Sequence, residues 1–455
     1  MSERRSALAC LILLLFSFPL AAQTGLRDLV TDFLREGITL APPPPGVVIS
    51  HVAHFVDPNS TQFIAIREFN DELATQLATF PLASSAGGFA YRYDPALGTF
   101  TRTTESFGPI YTERADTIGK GKFNGGINYS HFTFDRIDNL SLTQGDLHLV
   151  FTHIDVPSYV KGDVITADLR MNVTADVTAF VLTYGLANNL DLGLAIPLER
   201  IDITAQTSAE IQRLATQQNT SIHRFQDGSS AETFQTSGSA SGIGDILLRA
   251  KWRLLDARGG GGLAVAADVR MPTGEERDLL GTGTWLGGGF LIGSLQLGTF
   301  SPHINAGYTW SSNPPSSSDQ PGGTVSTIPN YVSYAGGFDW AISPRVTFIV
   351  DVLGRTYRNA QAVTVVNQTY TADTGDNLGG DCKCQPEGEN PPRTITQTFP
   401  QLTSTTASVN TWQGSIGIKV NPVWNLLVTA NVLFSLNRKG LQDSISPLFA
   451  LDYAF

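Results

Sequence analysis

With 455 residues, only 16% of them charged, and a net charge of −11, the chain carries too few charges for an ordinary soluble domain and lacks the basic footprint of a nucleic-acid binder. Its 44 glycines and the lack of an apolar run of about 18 residues beyond the amino-terminal stretch exclude membrane helices and leave strands in which apolar and polar residues alternate.

Arg4 and Arg5, the apolar stretch Ala7 to Phe18 and the small-residue site Leu20-Ala21-Ala22 predict a secretory signal over residues 1–22, discarded with Cys10. Residues 23–120 do not read as membrane strands. Leu26, Leu29, Val30, Phe33 and Leu34 give Gly25 to Glu36 the spacing of a short amphipathic helix, and Pro42 to Pro45 forms an extended spacer. A second helix is expected from Thr61 to Thr79, capped by Asn59 or Ser60, with Phe69, Leu73 and Leu77 on one face. A hairpin of Phe89–Tyr93 and Thr99–Arg102 follows, too short for the roughly 9–11 residues that cross a bilayer. This segment is expected to be periplasmic or a plug inside a pore.

From residue 121 to 455 the pattern is that of an all-β transmembrane antiparallel up-and-down barrel. Twelve strands are expected near 122–135, 170–186, 190–204, 242–255, 260–272, 284–295, 300–311, 329–342, 345–358, 407–420, 424–437 and 445–455. Leu147–Val156 and Val164–Arg170 would raise the count to fourteen, but read better as a hairpin in the first external loop. Tight turns at Ala187–Asn189, Asp256–Gly259, Ser343–Pro344 and Asn421–Val423 alternate with long polar stretches near 207–240, 273–283, 312–328 and 361–407, read as loops. Short turns on one rim and long loops on the other is the outer-membrane pattern, with the short turns periplasmic. Aromatics at strand ends, Trp252, Trp340, Trp412, Trp424, Tyr184 and Tyr453, suit interfacial girdles.

Charges that would be costly toward lipid mark the lumen. Asp245, Arg249, Lys251, Arg253, Asp268 and Arg270 share one face of a hairpin, and Asp351 and Arg355 one face of a later strand. Asp245, Arg249, Asp268 and Arg270 are expected to form a cross-strand ladder that staples the wall, biases which solutes pass, or does both. Inward Gly193, Ala195, Ala264, Ala266, Ser415 and Gly417 leave space, whereas Leu427 and Leu433 fill it. At the end of the chain, Phe449, Leu451, Tyr453 and Phe455 alternate toward lipid, a pattern similar to the signal read by the barrel-assembly machinery, with the last strand closing onto the first near Phe123.

Catalysis finds no support. The histidines His51, His54, His131, His148, His153, His223 and His303 lie in no nucleophile or metalloprotease motif, and His148 and His153 point to opposite faces of a strand. Cys382-x-Cys384 has no further Cys or nearby His to complete a metal site. The carboxylates Asp373, Asp376, Asp381, Glu387 and Glu389 match no calcium loop. No cofactor or metal is expected, and the partners are outer-membrane lipid, the assembly machinery and a small solute.

Several stretches resemble the bacterial outer-membrane transporter family assigned to a phenol-degradation pathway. They are Ser106–Pro109 with Glu113–Lys122, Phe151–His153, Tyr184-Gly185 with Leu190-Asp191, Gly242–Asp245 with Arg249–Lys251, and Arg270–Gly274. The resemblance implies a barrel distantly similar to channels for fatty acids and aromatic hydrocarbons, and transfers no ligand-binding residue. The expected function is a passive outer-membrane channel for small hydrophobic or aromatic solutes, with the amino-terminal segment as plug or gate. Its rival is a non-conducting barrel that anchors surface loops for adhesion.

Overall fold

The computed structural model describes residues 25–42, 61–79, 88, 91–94, 99–102, 104–152, 163–214, 223–257, 260–314, 327–373 and 394–455. The expectations for the signal segment, most of the proline spacer, the Asn59 or Ser60 cap, His51, His54, His153 and the Cys382–Cys384 pair lie outside these residues.

A short helix α1 (Leu29–Asp32) runs into a π turn (Phe33–Gly37), followed by α2 (Thr61–Ala78) and a hairpin of β1 (Tyr91–Asp94) and β2 (Thr99–Arg102). Then come β3 (Phe123–Ile137), β4 (Leu140–Ser141), β5 (Leu147–Thr152), β6 (Val164–Ala187), β7 (Leu190–Gln212), β8 (Ala231–Ile243), β9 (Ile246–Asp256) and β10 (Gly261–Met271). The chain continues through β11 (Leu286–Leu295), β12 (Phe300–Ser311), β13 (Tyr331–Ser343), β14 (Val346–Asp373), β15 (Thr394–Val420), β16 (Leu426–Ser435), β17 (Leu441–Asp443) and β18 (Ser446–Ala454).

Twelve antiparallel strands close into a barrel: β3, β6, β7, β9 to β16 and β18. The seam is the expected one. β18 pairs with β3 from Leu448 opposite Ser130 to Ala454 opposite Asn124, and beyond it Phe455 N–H donates to the Phe123 carbonyl at 2.7 Å. Closure leaves no strand edge among the twelve, which lipid, offering no hydrogen-bond partners, requires.

Side chains alternate with period two along every strand, but the polarity of the two faces inverts part-way up. In β7, Leu192, Leu194 and Leu198 face outward against inward Asp191, Ala195 and Glu199, whereas beyond Arg200 the outward residues are polar and Ile201, Ile203, Ala205 and Ile211 are buried inside. In β6, Phe180, Leu182 and Tyr184 face outward near the short-turn rim, while further out Asp168, Arg170 and Asn172 take that face and Leu169, Met171 and Val173 point in. β3 switches likewise, from inward Asn124, Asn128 and Ser130 to inward Phe132 and Phe134. The inversion marks where strands leave the apolar layer: below it the outside meets lipid, above it the outside meets water and the inside becomes a protein core.

That core fills the far end of the barrel. Leu26, Val30, Phe33 and Leu34 of the first helical segment and the expected Phe69, Leu73 and Leu77 face of α2 pack with Phe132, Phe134, Leu147, Leu149, Met171, Val173, Ile203 and Leu433. Each such side chain contributes about 1.5–3 kcal/mol on burial, so the helices are held by many small apolar terms.

Two expectations need correction. The stretches 207–240 and 361–407 are not wholly loops: β7 runs to Gln212, β8 starts at Ala231, β14 reaches Asp373 and β15 starts at Thr394. Their outward residues are polar because they stand in water, which made strand look like loop. Leu147–Thr152 and Val164–Leu169, by contrast, do pair as the expected hairpin, the latter running on into β6, and add no separate crossing. The outward apolar band is continuous, with Ile304 67% exposed at the middle of β12. Replacing Ile304 with Arg is expected to cost about 2–4 kcal/mol of folding free energy, read by urea titration of the barrel in lipid vesicles.

Candidate functional site: a strap across the lumen

Where the wall is polar inside, an irregular strap of residues 104–120 crosses the lumen near the short-turn rim and leads into β3. Its backbone cannot pair as a strand, so inward side chains from around the ring supply partners. Phe107 N–H donates to Thr347 Oγ1 at 3.0 Å, and Lys419 Nζ donates to the Pro109 carbonyl at 2.6 Å. Asn305 closes a two-way clamp on Glu113, accepting from its N–H at 2.7 Å and donating to its carbonyl at 2.8 Å. Ala115 N–H reaches Ser294 Oγ at 3.0 Å and Ile118 N–H reaches Asp191 Oδ2 at 3.1 Å. Glycine makes room for the strap at both ends. A Cβ at Gly417 would stand 2.6 Å from Ile110 Cδ1, and one at Gly185 would stand 1.9 Å from the Gly119 carbonyl oxygen.

Of the four residues expected to form a cross-strand ladder, Arg249 and Asp268 meet across β9 and β10, and the strap joins them. Arg249 grips Asp268 through Nε at 2.7 Å and Nη2 at 2.5 Å, then spends Nη1 on Glu113 of the strap at 2.7 Å. Lys251 sits 3.3 Å from the other Glu113 oxygen and 4.0 Å from Asp191, and Arg253 faces Asp116 at 3.7 Å. Asp351 accepts from Thr112 Oγ1 at 2.9 Å and pairs with His303 Nε2 at 2.8 Å, while His303 Nδ1 faces Asp339 at 3.3 Å. Asp245 is a correction: it joins no cation among the described residues, but accepts from Gly274 N–H and from the Thr282 N–H and hydroxyl, tying down the 273–283 loop. Arg270 lines the lumen on the β10 face, near Glu199. Arg355 donates to the Thr79 carbonyl at the end of α2 and lies over the Tyr331 ring at 5.7 Å.

Beside the strap, between it and the wall, remains a cavity of about 180 Å³. Tyr111 and Glu113 of the strap line it together with Arg249, Arg270, Phe290, Tyr331 and Arg355 of the wall. Among the described residues no group of His, Cys, Asp and Glu converges to hold a metal ion.

Residues 154–381 match the family described as "Putative MetA-pathway of phenol degradation". The chain belongs to this family. No curated protein matches it. Among solved structures, an outer membrane channel from Pseudomonas putida F1 is similar at 13% identity and a TM-score of 0.41, covering 75% of this chain and 98% of its own. A FadL homologue from Pseudomonas aeruginosa aligns at 10% identity and a TM-score of 0.30, covering 74% of this chain and 90% of its own. The outer membrane channel DcaP of Acinetobacter baumannii aligns at 10% identity and 0.24, covering 74% and 96%. As a family member built as a closed barrel with an outward apolar band, the protein resides in the bacterial outer membrane.

Of the charged residues expected at the lumen, Arg249, Asp268, Arg270 and Arg355 line the cavity, and Lys251, Arg253 and Asp351 reach residues of the strap. Sequence reading missed Glu113, Asp191, His303, Asp339 and Lys419. The signal for the four wall residues was available, since each sits at an inward register position (Lys419 opposite Thr347, Asp339 opposite Ser301). Glu113 carried no such signal, because nothing local says that an irregular segment will thread a barrel.

Two outcomes follow. Glu113→Gln removes a buried carboxylate shared by Arg249 and Lys251, and leaving buried cations under-compensated costs about 3–5 kcal/mol, so strap amides 107–118 should exchange hydrogen faster than in the native protein. The second concerns α2. Burial, reinforced by Asp71, raises the Glu68 carboxyl from 4.5 to about 7, and burial with Asp138 raises Glu72 well above its ordinary value. A carboxyl raised in the folded state binds its proton more tightly there, so docking of α2 is strongest below pH 4.5 and weakens as pH rises through about 7. Protection factors of α2 amides should fall with pH across that window by up to about tenfold per unit for each such proton, and the Glu68→Gln, Glu72→Gln double variant should flatten the profile.

Proposed function

We propose that this protein is a gated passive channel for small hydrophobic or aromatic solutes. The observation that carries this reading is the cavity left inside the barrel between the strap and the wall. The strap is held largely by hydrogen bonds and ion pairs, groups that water can satisfy in exchange, and hydrogen bonds of this kind contribute only about 0.5–1.5 kcal/mol each. Unseating the strap would expose only a few apolar side chains, Phe107, Ile110, Ala115 and Ile118, against the large apolar core that holds the helices. In this reading residues 23–120 act as plug and gate, and the lumen charges of Arg249, Lys251, Arg253, Asp268, Arg270, Asp351 and Arg355 both seat the strap and bias what passes. Solutes would move down their gradient.

Phe449, Leu451 and Phe455 are exposed on the outside of the seam strand, with Tyr453 half-buried beside Phe455, which supports their reading as the assembly signal. The rival, a non-conducting surface anchor, draws on one observation: β14 and β15 run to 28 and 27 residues, far beyond the roughly 9–11 that cross a bilayer. Conductance separates the two. Deleting residues 25–118 should raise single-channel conductance several-fold in planar bilayers, and liposomes carrying the native protein should swell faster in phenol than in sugars of similar size. Unchanged conductance on deletion together with no flux of any solute would leave the anchor.

A further inference from the structure

Four cations and their partners furnish the middle of the lumen, and one of them is not like the rest. Arg249 is neutralised by Asp268 and Glu113, Lys251 stands beside Glu113 and Asp191, and Arg270 faces Glu199. Arg355 has no carboxylate partner among the described residues: it donates to the Thr79 carbonyl, hydrogen-bonds the Tyr357 side chain and lies over the Tyr331 ring. A guanidinium carries five donors in a fork that matches a carboxylate. Among the guanidiniums lining the cavity, Arg355 is thus the one whose charge no carboxylate among the described residues offsets.

The shape of the space is as specific as its charge. Its volume of about 180 Å³ is close to the ~150 Å³ of an apolar cavity that accepts benzene, and well short of the ~300 Å³ where sites for larger ligands begin. Phe290 lies flat against the wall over Gly288 and Gly307, where added Cβ atoms would stand 2.7 and 2.2 Å from its ring, so these glycines keep the ring from filling the cavity. Tyr331 is fixed by packing on Tyr357 with centroids 5.2 Å apart, and Tyr111 rises from the strap. Aromatic walls hold a flat ring well in offset or edge-on contact.

We propose that this cavity is a binding site for a single-ring aromatic carboxylate, its carboxylate forked on Arg355 and its ring between Phe290 and Tyr331. A neutral aromatic leaves the Arg355 charge without a carboxylate partner. The proposal rests on the channel reading only for how the solute arrives, since occupancy itself needs no flux.

The test is calorimetric titration of the detergent-solubilised full chain with benzoate, benzamide and acetate. Benzoate should bind about ten- to hundredfold more tightly than benzamide, which lacks the charge, and than acetate, which lacks the ring. Arg355→Met should abolish the preference for benzoate over benzamide. Because that change also frees the end of α2, Ala335→Leu serves as a second variant: it fills the cavity, leaves Arg355 in place and should remove binding of benzoate. Equal binding of benzoate and acetate, equal binding of benzoate and benzamide, or benzoate binding that survives Ala335→Leu in a barrel still folded by gel mobility would each overturn the proposal. Solute flux without benzoate binding would overturn this site and spare the channel; benzoate binding without flux would do the reverse.

Discussion

One constraint organises the molecule: a side chain on a strand can face only one of two environments, and the environments exchange along the strand. In the apolar layer lipid takes the aliphatic face and the lumen takes the polar one. Past Leu198 in β7 and Ser130 in β3, water takes the outside and the same strands turn their aliphatic residues inward. A barrel built this way has two interiors. The outer one can house helices as a soluble protein would, and the inner one, largely polar, holds a chain segment through hydrogen bonds and ion pairs together with small apolar contacts at Phe107, Ile110 and Ala115.

The amino-terminal segment is divided to match. α1 and α2 present Val30, Leu34, Phe69, Leu73 and Leu77 to the apolar interior, while the strap presents backbone groups and Glu113 to the polar one. The two attachments differ in kind. Apolar burial is additive and hard to undo in part, whereas the strap depends on a few charged groups whose loss is felt at once. Arg249 and Asp351 are the joints: the first ties two strands of wall to the strap, the second ties His303 of β12 and Thr112 of the strap to β14. A wall and a strap that share ions cannot be reorganised independently.

Small residues that line the lumen beside the strap support the channel proposal. Ala264 and Ala266 pack against Ala115 of the strap, and Gly417 admits Ile110, so the room left by small wall residues is room for the strap. The cavity that remains is what the strap does not occupy.

The sequence by itself determined the barrel, its twelve crossings, its seam at Phe455 and the inward register of its charges, because each depends on a period of two and on turn residues that are local. It misjudged 207–240 and 361–407 because polarity alone does not distinguish a loop from a strand standing in water. Only the tertiary structure decided the partners of the lumen charges. Whether Arg249 meets Asp268 alone or Glu113 as well, and whether Arg355 meets a carboxylate at all, depends on closure of the ring and on an irregular segment threaded through it, neither of which any local pattern encodes.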